Sequence, residues 1–132
     1  VNERIEKWVE ALESGEFEQT QGALRAGDSY CCLGVACEVY RRETGRGRWI
    51  QVEYTDTREF LAEDSPFEEG SVAVMPGPVA RYFNIESNPS LMYGSDDGKL
   101  KKSLYAAASL NDKGVPFVEI ARAIRERYGT AD

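Results

Sequence analysis

The chain is expected to fold as a helix-dominated α+β single domain over residues 1–132, with a small antiparallel β-sheet inserted in the middle. Three observations predict this. Apolar residues recur at helical spacing at both ends of the chain: Ile5, Trp8, Val9 and Leu12, then Phe117, Ile120, Ala121, Ile124 and Tyr128. Between them lies Tyr30-Cys31-Cys32-Leu33-Gly34-Val35-Ala36-Cys37, a run with no fully charged residue that holds all three cysteines. Such a run belongs inside a core, as the element against which amphipathic neighbours pack. From Arg48 to Thr55 the period changes to two, which places Ile50, Val52 and Tyr54 on one face of a strand.

Taken in order, a first helix is predicted from Asn2 to Ser14, with Asn2 as N-cap and Gly15 as its stop. Residues 16–24 read as an ordered loop or short extended segment with Phe17, Ala23 and Leu24 turned inward. Asp28 or Ser29 then caps a second helix from Tyr30 to Glu43, ended by Gly45. Gly34 inside that helix costs on the order of 1 kcal/mol relative to Ala, which close approach of a backbone or a ligand would compensate. Residues 56–69 carry six acids against Arg58 alone and are expected as solvated surface, with at most a short helix around Phe60 and Leu61. A short strand at Ser71–Met75 leads into Pro76-Gly77-Pro78, which opens a short helix from Val79 to Phe83. A third strand is expected at Ser90–Tyr93. A helix follows from Lys101 to Leu110, bringing Leu104, Ala107, Ala108 and Leu110 to the core. Asn111-Asp112-Lys113-Gly114 ends it, and the last helix runs from Pro116 to Tyr128.

The composition narrows the function classes. There is no histidine, which removes Ser-His-Asp triads, Cys-His dyads and imidazole metal sites. Three cysteines in one segment form no disulfide framework and fall short of a four-ligand zinc site unless a carboxylate joins them, and neither a metal nor another cofactor is expected. A net charge of −7 argues against direct nucleic-acid binding. No apolar stretch approaches the ~20 residues that span a bilayer, and acids interrupt the N-terminal pattern where a signal peptide would be apolar. No membrane association and a cytoplasmic location are therefore expected.

The candidate site residues each have a bland reading beside the functional one. Cys31 is a nucleophile only if something favours its thiolate, and a helix N-terminus is all the sequence offers; the alternative is a buried core cysteine. Asn111 and Asp112 suit recognition of a ligand's amide or hydroxyl groups, and equally suit a turn where both satisfy backbone groups. Gln19 and Gln21 would line the same pocket, or be solvated. Arg46 and Arg48, with Arg41 and Arg42, would hold an anion such as a nucleotide phosphate. A helix C-terminus attracts the same residues through its dipole, although this does not explain Arg46-Gly47-Arg48.

Several blocks together carry a resemblance. They are Trp8…Ala11-Leu12…Ser14-Gly15, then Gln19…Gly22…Leu24, then Tyr30-Cys31-Cys32-Leu33-Gly34-Val35…Cys37 and Pro76…Val79…Phe83. The last is Leu110-Asn111-Asp112…Phe117…Glu119-Ile120-Ala121…Ile124. In these the chain resembles a family of small, mostly uncharacterised proteins encoded by bacteriophages, prophages and actinobacterial genomes. The likeness covers both ends well and the acidic middle poorly. Pro116 departs from it, standing where such proteins often place a Ser cap. The resemblance implies a phage accessory protein and supplies no catalytic residues.

The resulting expectation is a binding protein that sequesters a small, nucleotide-like ligand or a host defence factor. Its pocket would lie between the second helix and the Asn111-Asp112 turn. Two alternatives stand beside it. One is an acidic protein-binding inhibitor or nucleic-acid mimic that uses residues 56–69. The other is a histidine-free enzyme with Asp112 or Glu119 as acid/base and Cys31 as nucleophile.

Overall fold

A computed structural model describes residues 3–62 and 70–129. Helix α1 (Glu3–Glu13) buries the stripe Ile5, Trp8, Val9 and Leu12, as its spacing predicts. It packs on the last helix, α5 (Phe117–Tyr128), which buries Phe117, Ile120, Ala121, Ala123 and Ile124. The expected N-cap Asn2 lies outside the described residues. Pro116 stands at the N-cap of α5, and no side chain caps that helix.

Helix α2 (Cys32–Thr44) is the central element, with every residue from Cys32 to Tyr40 buried. It begins two residues later than the composition suggests. Tyr30 belongs instead to a strand, β3 (Ser29–Tyr30), because its ring packs edge-on between Phe17 and Trp49, with centroids 5.0 and 5.8 Å away. Cys31, not Asp28 or Ser29, is the N-cap, and its Sγ accepts from the Gly34 N–H at 3.3 Å. Gly34 is where α2 meets backbone: a Cβ there would stand 1.9 Å from the Leu24 carbonyl oxygen. Gly45 closes the helix at φ 71°.

Of the strands expected, the one starting at Arg48 enters the five-stranded sheet, which otherwise draws in other parts of the chain. Its order is β1 (Glu18–Gln19), β3, β2 (Arg25–Ala26), β5 (Thr57–Leu61) and β4 (Arg48–Gln51). The β1–β3 pair is parallel and the other pairings are antiparallel. β4 stops at Gln51. Tyr54, expected on one strand face with Ile50 and Val52, is 95% exposed at φ 65° in the turn that follows. The inward residue is Trp49, paired opposite Phe60 with rings 4.8 Å apart. Phe60 is fully buried in a strand, not in a surface helix, because β5 is hydrogen-bonded on both sides, to β4 and to β2. Ser71–Met75 contributes only an isolated bridge, Ser71 to Phe60.

Helix α3 (Gly77–Phe83) starts with Pro78 in its first turn and buries Val79, Ala80 and Phe83. Strand β6 (Ser90–Tyr93) forms as predicted. Its partner β7 (Ser103–Ala106) occupies the first half of the expected 101–110 helix. Pairing with β6 overrides the helical composition there and leaves Leu104 62% exposed, not in the core. The helix α4 starts only at Ala107 (Ala107–Asp112). Two backbone amides of its first turn are satisfied from outside: Ala107 N–H donates to the Pro89 carbonyl (2.8 Å) and Ala108 N–H to Asn88 Oδ1 (3.0 Å). Among the described residues no helix is long and apolar enough to cross a membrane.

Candidate functional site

Asn111 is fully buried in the last turn of α4 and joins three parts of the chain. Its Oδ1 accepts from the Cys32 backbone N–H (3.1 Å) and from Gln19 Nε2 (3.0 Å). Its Nδ2 donates to the Thr20 carbonyl (2.6 Å). Gln19 Nε2 also donates to the Val115 carbonyl at 2.8 Å. Asp112 is exposed, and its Oδ1 accepts from the Gly22 N–H at 2.9 Å. The structure therefore brings Gln19, Asn111 and Asp112 together, as the sequence suggested, but bonds them to protein. They fasten segment 19–22 to the start of α2, where the pocket was expected. Gln21 is exposed beside them.

The cysteines are free and buried. Burial pushes the Cys31 thiol up to about 11, outweighing the N–H groups of the α2 start that would favour a thiolate. Burial likewise holds Cys32 and Cys37 well above the usual thiol range. Among the described residues no group of three or more Cys, Asp and Glu is placed to hold a metal ion.

Arg46 and Arg48 are exposed beyond the C-terminus of α2. Arg41 and Arg42, a turn earlier, are tied to a carboxylate that the sequence did not flag. Glu38 is 3% exposed and receives Arg41 through both oxygens (2.9 and 2.7 Å), Arg42 Nε at 3.0 Å and Trp49 Nε1 at 3.0 Å. Burial pushes its pKa up, but the bonds from Arg41, Trp49 and Arg42 win and bring it down to about 2. This cluster joins α2 to the sheet. Of the acidic stretch, Asp56 precedes β5, Glu59 lies within it, and residues 63–69 lie outside the described residues.

A groove of about 690 Å³ opens on the other side of the Asn111-Asp112 turn. Its sides are the β6–β7 hairpin with its loop and the exposed face of α5, and the α4–α5 turn closes one end. Lys99 and Lys102 come from the hairpin, Lys113 from the turn and Arg122 from α5; Glu119 and Glu126 are the acids. Among the described residues Lys99, Lys102 and Lys113 make no ion pair, while Arg122 Nη2 meets Glu119 Oε1 at 3.0 Å. The same Oε1 accepts from the Tyr93 hydroxyl at 2.8 Å. Met92 and Leu100 add apolar surface. The hairpin loop turns sharply at Gly94 (φ 97°), where a Cβ would stand 2.5 Å from the Lys101 carbonyl oxygen. A concave surface with a few convergent charges is the usual form of a small-molecule site, and its volume falls in the common range of ~300–1,000 Å³.

Sequence reasoning missed this groove. The signal was present, since lysines at 99, 101, 102 and 113 sit in a chain of net charge −7. Reading residues 101–110 as one helix hid the hairpin that carries two of the lining lysines.

Among known proteins, human fibroblast growth factor 4 is 33% identical over 85 residues, covering 64% of this chain. That stretch is 39% of the growth factor, so the chain spans about two fifths of the relative's length. No solved structure matches the chain. Residues 1–128 match the family described as a domain of unknown function, DUF8296, and the chain belongs to that family.

Proposed function

We propose that the protein acts by binding a small organic anion in the groove between the β6–β7 hairpin and α5. One observation carries this reading: four cationic side chains line one concave surface of an acidic protein, and three of them have no acidic partner among the described residues. Unpaired like charges held near one another repel, and an anionic ligand relieves that cost. The uncapped start of α5 adds the positive end of its dipole at the same place. The protonated, buried Cys31 thiol and the bonded Asp112 carboxyl support binding over a cysteine-based reaction. An accessory role for a phage or prophage, sequestering a nucleotide-like ligand or a host defence factor in the bacterial cytoplasm, is part of the proposal. It rests on the Tyr30–Cys37 and Leu110–Ile124 blocks.

The test is calorimetric titration with pyrophosphate at low ionic strength. The parent protein is expected to bind, and added salt to weaken it. Lys102→Glu combined with Lys113→Glu should lower the affinity at least tenfold, roughly what two reversed charges in one site imply. Absent binding, or the same affinity in parent and double variant, would overturn the reading.

A further inference from the structure

We infer that the groove selects a phosphate ester bearing hydroxyl or amino donors, such as a phosphorylated sugar or nucleoside, over inorganic phosphate, and that Glu119 reads those donors. The inference rests on the anion-binding reading above and adds the identity of the ligand's uncharged part. A site built only for a small inorganic anion has no use for a fixed carboxylate, which would repel it. Yet Glu119 lines the groove with its side chain 37% exposed and held in place. Its Oε1 takes both the Tyr93 hydroxyl (2.8 Å) and Arg122 Nη2 (3.0 Å). Tyr93 stays the donor in that pair, because burial and the adjacent carboxylate both raise its phenol above the ordinary range. Among the described residues Oε2 accepts no hydrogen bond. One oxygen thus fixes the carboxylate, and the other remains an oriented acceptor.

A carboxylate oxygen accepts and cannot donate, so its partner on the ligand must carry N–H or O–H groups. Lys102 lies next to Ser103, which pairs with Tyr93 across the hairpin. Lysine and carboxylate line the same groove. A phosphate ester with sugar hydroxyls or a base amino group has both kinds of group within one molecule. Met92 and Leu100 provide apolar surface for the part between them, and a volume of about 690 Å³ is far more than inorganic phosphate needs.

The experiment titrates the full chain with inorganic phosphate, ribose 5-phosphate and adenosine 5′-monophosphate. The parent is expected to bind at least one ester tenfold or more tightly than inorganic phosphate, the scale of a hydrogen bond to a charged acceptor. That ratio should fall toward one in Glu119→Ala, and partway in Glu119→Gln and Tyr93→Phe. A gain already present with the ribose ester assigns the donor to the hydroxyls, and a gain confined to the adenosine ester assigns it to the base. Equal binding of esters and inorganic phosphate by the parent, or a ratio that survives Glu119→Ala, overturns the inference and leaves the anion-binding reading intact. Failure of all three probes to bind the parent overturns both.

Discussion

The turn at residues 111–114 separates two regions that use polar side chains in opposite ways. On the α2 side, Asn111, Gln19 and Asp112 end in hydrogen bonds to protein, and Asn111 has both oxygen lone pairs engaged. On the groove side, Lys99, Lys102 and Lys113 end in no ion pair among the described residues. A side chain whose bonds are filled from within can recognise a ligand only by breaking them. Polarity enclosed by core is therefore a sign of architecture, and polarity gathered without partners on a concave surface is the better sign of a ligand. The comparison makes opposite demands on mutants: substitutions on the α2 side should cost stability, and those in the groove should cost binding.

The largest expected effect is Gly34→Ala. The new methyl would stand 1.9 Å from the Leu24 carbonyl oxygen and 2.8 Å from its carbon. That backbone cannot easily retreat, since Leu24 accepts from Cys31 N–H (2.9 Å) and donates to the Val72 carbonyl (2.7 Å). A loss of about 3 kcal/mol or more is expected, at the upper end for overpacking. Thermal denaturation checks it; a melting temperature within about 2 °C of the parent would show that α2 does not rest on Leu24.

Asn111→Ala comes next. It leaves the Cys32 N–H and the Thr20 carbonyl without their partner, at about 1–3 kcal/mol for each buried group left unsatisfied. Asp112→Ala removes one bond at an exposed position, where water can replace it, and should cost under about 1 kcal/mol. Urea denaturation of the two variants measures the difference. Equal losses would place the buried amide and the exposed carboxylate on the same footing.

The sequence marked these positions without telling their roles apart. Asn and Asp after an apolar run suit a ligand site and a helix-ending turn equally, and nothing local foretells that the Asn111 amide bonds to Gln19, Thr20 and Cys32. The terminal helices α1 and α5 were legible because each buries one stripe of its own surface, a property of local spacing. β5 and β7 were not. Phe60 sits among acids, and Leu104-Tyr105-Ala106 runs into the helix-favouring Ala107-Ala108; in both places pairing with another strand sets the outcome. The groove was hidden for a related reason, because its lining comes from residues 92–126 on several elements that no local window joins.

Glu38 tests the enclosed kind of polarity with a proton. Its pKa is lowered from an ordinary 4.5 to about 2. A carboxyl depressed on folding stabilises the protein fully above its unfolded pKa, and that contribution is lost as pH falls through the folded one. The window therefore runs from about 4.5 down to about 2. The shift corresponds to at most about 3 kcal/mol, and nearer 2 once screening is allowed for, because the Arg41 and Arg42 side chains are 43% and 46% exposed. Glu38→Gln should be less stable than the parent by about that amount at pH 7, and the gap should narrow below pH 4.5. Urea midpoints at pH 7 and pH 3 check this. A gap that does not change with pH would mean that the cluster stabilises by shape alone.

The smallest effect on stability belongs to the lysines, and it bears most directly on the comparison. Lys102 and Lys113 are exposed and make no ion pair among the described residues, so truncation to Ala removes no partner and opens no cavity. Surface substitutions away from packed or bonded features shift stability little, which here means melting temperatures within about 2 °C of the parent. Neighbouring cations also repel, so the sign of any small shift should be toward higher stability at low salt and should fade as salt is added. Pyrophosphate affinity should fall in the same two variants. If Lys102→Ala or Lys113→Ala instead lowered the melting temperature as Asn111→Ala does, these lysines would belong with the enclosed residues of the α2 side. The groove would then lose the unpartnered charge from which its function is read.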